Sequence, residues 1–132
     1  MKTELIFFDS IENSKKGTER GLIAFLSLAI FDLIWFSLSS KNVYKTVKKK
    51  PNIYCSILTY LILCSAIGVQ LPKNYKEALV YGLLVGFVVY SIFNLTSYSI
   101  FNWPLYTAII DTIMGIISCG IASSLIYIFY HK

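Results

Sequence analysis

Four apolar stretches divide this chain, at residues 21–40, 53–71, 78–101 and 105–130, and polar breaks separate them. Each is near the roughly 20 residues that a helix needs to cross a hydrocarbon core about 30 Å thick. That pattern predicts an all-α fold: a four-span transmembrane helix bundle with antiparallel neighbours, multi-pass in a membrane. With 14% charged residues against about 25% for a soluble domain, the composition excludes a water-soluble globule. The 132 residues leave only short connections and no room for a soluble catalytic domain.

The breaks carry their own chemistry. Residues 1–20 precede the spans and mix four basic with four acidic side chains around Gly17, which suits a mobile or interfacial tail. Lys41, Lys45, Lys48, Lys49 and Lys50 follow span one with no acid among them, and Pro51 is placed to open span two. This lysine loop reads as a patch facing anionic headgroups or as a topology signal. Pro72, Lys73, Asn74, Lys76 and Glu77 form a short turn, and Asn102, Trp103 and Pro104 form an uncharged one whose Trp suits the membrane interface. Six basic residues lie near the spans on the side of the termini and five in the lysine loop, so the charge bias sets no orientation.

The net charge of +5 therefore belongs to headgroups and topology, and no nucleic-acid partner is expected. Cys55, Cys64 and Cys119 fall within apolar stretches as packing residues, and the only histidine is the penultimate residue, His131. Cys55 and Cys64, nine positions apart, take opposite sides of one helix at about 100° per residue. No metal, cofactor or enzymatic activity is expected, since no His or metal-ligand set accompanies the serines and acids of the spans.

Depth along the membrane normal is the most informative comparison. Asp32 precedes Lys41 by nine residues, about 13 Å at 1.5 Å per residue, and Asp111 follows Trp103 by eight, about 12 Å. Both distances are measured from the same surface, so the two acids are level. Asn94, Thr59 and Tyr60 fall near the same depth, and Thr96 lies close to Asn94. A charge at a bilayer centre costs about 2.5 to 3.5 kcal/mol on insertion scales, so these carboxyls are expected to face inward. No Lys or Arg lies within the spans to pair with them. Proton sharing, amide contacts and a bound cation are the remaining ways to accommodate them.

Small residues mark the close-packing faces. Asp111, Gly115, Ser118 and Ala122 share a narrow stripe of span four, and Gly82 and Gly86 make a GxxxG pattern in span three that continues through Tyr90, Phe93 and Ser97. Either these faces join spans three and four, or one of them joins two copies in a homo-oligomer.

The run EALVYGLLVGFVVY, the triplet Asn94, Leu95 and Thr96, the Trp103 and Pro104 turn, Asp111 followed by Gly115, and FDLIW with Asp32 and Trp35 together resemble an uncharacterised family of small integral membrane proteins, domain of unknown function 2177. The chain departs from the family pattern at Asn94, where an acid is preferred, at Ser97, where Asn is, and at Met114, where Trp is. The resemblance implies four spans and membrane residence, and brings no activity with it. Two functions follow from the residues themselves. In one, the level acids and amides form a site for proton, cation or small-solute movement. In the other, the polar layer only fixes helix packing in a noncatalytic scaffold or assembly protein whose partner is the lipid bilayer.

Overall fold

The computed structural model describes residues 2–39, 41, 53–69 and 73–130, with backbone alone for residues 2–14 and 130. Lys45, Lys48, Lys49 and Lys50 lie outside the described residues, while Lys41 is exposed. Four helices make up the described chain: α1 at Lys2–Ser39, α2 at Ile53–Gly68, α3 at Tyr75–Phe101 and α4 at Leu105–Tyr130.

Helix formation follows from the solvent. In hydrocarbon no water meets a backbone N–H or C=O, so an apolar segment must satisfy its own peptide groups. Several hydroxyls within these segments are settled in the same way. Ser37, Ser39, Thr59 and Ser65 each donate to the carbonyl four residues earlier, at 2.6 to 2.8 Å.

Three helices contain segments long and apolar enough to cross a membrane: Lys15–Ser39, Tyr75–Phe101 and Leu105–Phe129. The fourth, α2, has 16 residues, about 24 Å of helix, and ends at Gly68. At its end Gly68 is buried against Gly21 of α1, where an added Cβ would stand 3.1 Å from the Gly21 nitrogen. The segment before the first span, read from sequence as a tail, is helical from Lys2 and continuous with that span. No proline interrupts it.

The boundaries of α3 are written in its caps. Asn74 is extended, and its side chain accepts from the Glu77 N–H at 2.9 Å. Glu77 reaches back to accept from the Lys73 N–H at 2.9 Å, so two otherwise unpaired donors are satisfied reciprocally. This capping starts α3 three residues ahead of the apolar stretch. At the other end Asn102 takes the left-handed conformation, φ 54°, and its N–H turns back to the Ser97 carbonyl. Trp103 then packs edge-on against Phe93 at 5.7 Å between ring centres, holding the turn into α4.

The most extensive interface is between α3 and α4. α1 packs on α4 and on α2, and α2 makes lesser contacts with α3 and α4. Among the described residues the backbones of α1 and α3 do not approach each other, so α4 stands between them. A core of Ala24, Leu28, Leu63, Cys64, Ile67, Cys119, Ala122 and Ile126 forms where α1, α2 and α4 meet. Large apolar side chains cover the outside on every helix, including Leu33, Ile62, Leu84, Ile92 and Ile113, as a lipid-facing surface requires.

The α3–α4 seam is made of small residues. Gly82 and Gly86 are buried, and a Cβ at Gly82 would overlap the Cys119 carbonyl oxygen while one at Gly86 would lie 2.8 Å from Ile116 Cα. The backbones can meet this closely only without side chains. Ser123 caps the contact by donating to the Ala78 carbonyl across the seam. A polar contact ties α2 to α3, from the Tyr81 hydroxyl to the Ala66 carbonyl at 2.6 Å.

Candidate functional site

The polar site begins at the turn of the α3–α4 hairpin. Because the two helices are antiparallel and joined at residues 102–104, positions nearly equidistant from the turn face each other. Asn94 and Asp111 are such a pair. Asn94 is 1% exposed, and its Nδ2 donates to Asp111 Oδ2 at 2.8 Å and to Thr112 Oγ1 at 3.0 Å. Thr112 donates in turn to the Ala108 carbonyl at 2.8 Å, with a longer approach of 3.5 Å to the Tyr90 carbonyl. Asn94 Oδ1 is buried and has no hydrogen-bond partner among the described residues.

Asp32 joins from α1. It continues the i, i+4 stripe of Ala24 and Leu28, the buried face of that helix, and is itself partly buried. Its carboxyl lies within electrostatic range of Asp111. Tyr90 completes the link from α3. Its ring lies in the space that a side chain at Gly115 would fill, and its hydroxyl stands within range of Asp32, Asp111, Ser118 and Cys119. Thus the absence of a side chain at Gly115 lets a residue of α3 reach toward α1 past the helix between them.

The residues singled out from sequence divide accordingly. Asp32, Asn94 and Asp111 come together. Gly82, Gly86, Gly115 and Ser118 are all buried on the faces of α3 and α4. Ser118 bonds within α4 to the Gly115 carbonyl at 2.9 Å. Thr59 and Thr96 do not join the cluster. Thr59 is exposed and spends its hydroxyl on the Cys55 carbonyl, and Thr96 is exposed on α3. Depth alone put them there, and helical phase turns them outward. Tyr60 is partly buried, but it packs against the apolar core and edge-on to Phe25 at 6.0 Å.

Thr112 is a member that depth arithmetic missed. Its signal was available in its position beside Asp111 and in the phase that sets it four residues after the buried Ala108. Ser123 and Tyr81, which bridge helices farther from the turn, left no such signal, because a single polar residue in an apolar stretch has no partner legible in the chain. Among the described residues no group of His, Cys, Asp and Glu is arranged to hold a metal ion.

Together these features define a small multi-pass membrane protein, a bundle of apolar helices with a few polar side chains gathered inside it. The family described as "Predicted membrane protein (DUF2177)" matches residues 21–128, and the chain belongs to it. No curated protein and no solved structure matches the chain.

Proposed function

We propose that the protein moves protons, cations or small solutes through a site built on Asp32, Asn94 and Asp111. One observation carries this reading. Two carboxyls from different helices lie within electrostatic range of each other in an apolar bundle, with a fully buried amide on one of them. Ionisable groups within spans are costly and mark pathways in membrane proteins, and this pair has no Lys or Arg in the spans to neutralise it. The reading involves no catalysis. Four helices enclose little lumen, so it places the pathway in an assembly of more than one copy.

Purified protein in liposomes tests this, with pH-driven ion flux compared among the parent, Asp32→Asn and Asp111→Asn. The amide keeps hydrogen-bonding capacity and removes titration. The expected result is flux in the parent and its loss in either variant. Flux in none of the three removes the reading.

A second reading is favoured by the direction of the Asn94 bonds. Both donations run from α3 to α4, so the amide also serves to lock the hairpin in register. On that reading the protein is a noncatalytic scaffold or assembly component in the bilayer, and the same substitutions alter thermal stability or oligomer size alone.

A further inference from the structure

α2 turns one face toward the rest of the bundle, and only part of that face is covered. Tyr60, Cys64 and Ile67 lie on it, in or against the core, with Cys64 5% and Ile67 0% exposed. Helical phase carries the same face back through Ile57 to Ile53, which are 55% and 69% exposed. Thus α2 meets its neighbours along its second half and stands clear of them along its first. α1 and α4 do not part in this way: Ser39 in the last turn of α1 and Thr107 in the first turn of α4 are both buried. A cleft therefore lies between the start of α2 and the paired α1 and α4.

The acids stand at its foot. Gly68 rests on Gly21 and the two helices are antiparallel, so an equal count forward from Gly21 and back from Gly68 sets Asp32 level with Ile57. Asp111, within electrostatic range of Asp32, shares that level from α4. Both acids are partly exposed, although each continues a stripe that is otherwise buried, Ala24 and Leu28 in α1 and Ser118 and Ala122 in α4. Below them the bundle closes, since the core where α1, α2 and α4 meet lies on the side of the termini. What fills the cleft follows from cost. A carboxyl facing acyl chains costs more than an isoleucine left half in water, so the filler is water, continuous with the surface where Lys41 is exposed.

We infer that the Asp32 and Asp111 site opens to water on one side of the membrane only, through this cleft, and takes up its cargo from the side marked by Lys41. The cleft is a vestibule that ends at the core. Uptake rests on the movement reading above; the one-sided opening does not.

Reaction with a charged, membrane-impermeant thiosulfonate, applied from either side to the full chain in liposomes, tests the opening. A thiol must meet water to react, because the thiolate is the nucleophile. Lys41→Cys and Lys76→Cys mark the two sides. The parent's own thiols are controls: Cys64 and Cys119 are buried in the core, and Cys55 is exposed on the opposite face of α2, close in depth to Ile57. All three are expected to stay unmodified. Ile57→Cys is expected to react from the Lys41 side at least about tenfold faster than from the Lys76 side, and Asp32→Cys likewise. Ile57→Cys alone carries the test should Asp32→Cys not insert. Three outcomes overturn the inference: Ile57→Cys unmodified from both sides, which means that lipid fills the cleft; Ile57→Cys modified as readily from the Lys76 side; or Cys55 modified as fast as Ile57→Cys, which means that water reaches every face of α2 at that depth. Flux in the same vesicles separates the two claims. One-sided modification without flux in the parent keeps the opening and removes movement. Flux in the parent with any of the three overturning results leaves movement standing and removes the one-sided opening.

Discussion

The ring of Tyr90 on α3 fills the space beside Gly115 of α4 that any side chain at that position would occupy. This one contact does two things. It packs the α3–α4 seam, and it carries a phenol toward Asp32 on a helix whose backbone α3 does not approach.

Gly115→Ala is therefore expected to displace Tyr90 and to destabilise the bundle by about 1–3 kcal/mol, the usual cost of overpacking. Tyr90→Phe keeps the ring and is expected to cost less than Gly115→Ala. Denaturation of the purified proteins in detergent, followed by circular dichroism, checks both. A Gly115→Ala variant as stable as the parent contradicts the contact.

At Gly82 the obstruction is backbone, since an added Cβ would overlap the Cys119 carbonyl oxygen and lie 2.9 Å from Gly120 Cα. At Gly68 the nearest atom is 3.1 Å away. Gly82→Ala is thus expected to cost more than Gly68→Ala, because the helices of the main seam must separate to admit it. The comparison is read as the difference in melting temperature between the two variants, and the reverse order would count against the seam described here.

Asp32 and Asp111 carry like charge when ionised and interact across the α1–α4 interface. Replacing either by Asn relieves the repulsion between two charged forms, and replacing both gains little beyond the first. A double-mutant cycle on unfolding free energy at neutral to alkaline pH is expected to give a coupling of about 0.5–3 kcal/mol with the sign of repulsion. The sign follows from charge: protonating either carboxyl removes the repulsion, so the coupling fades in acid. Strict additivity at all pH values would place the carboxyls out of reach of each other.

The Tyr81 hydroxyl bonded to the Ala66 carbonyl is a polar tie between α2 and α3. Tyr81→Phe removes the donor and keeps the ring, and is expected to cost about 0.6–1.7 kcal/mol, the range of hydrogen bonds between membrane helices. Ser123→Ala, which removes the donor to the Ala78 carbonyl in the α3–α4 seam, falls in the same range. Cysteine crosslinking between α2 and α3 distinguishes them, with efficiency falling for Tyr81→Phe and holding for Ser123→Ala.

Much of the molecule is legible in the chain because hydrocarbon leaves few choices. Apolar length sets where helices lie, and the breaks at Lys41, Pro72 to Glu77 and Asn102 to Pro104 set where they stop. Antiparallel order then converts residue offsets into depth, which brings Asp32, Asn94 and Asp111 to one level before any coordinates are known. Depth is only one of the coordinates of a site. Rotation about each helix axis, together with the order of the helices, decided the rest. It turned Thr59 and Thr96 outward, sent Tyr60 into the apolar core, and brought Thr112 and Tyr90 into the cluster. In lipid every apolar face is nearly equivalent, so composition cannot choose among rotations; close contact at Gly82, Gly86 and Gly115 does, and that contact exists only once two helices have met.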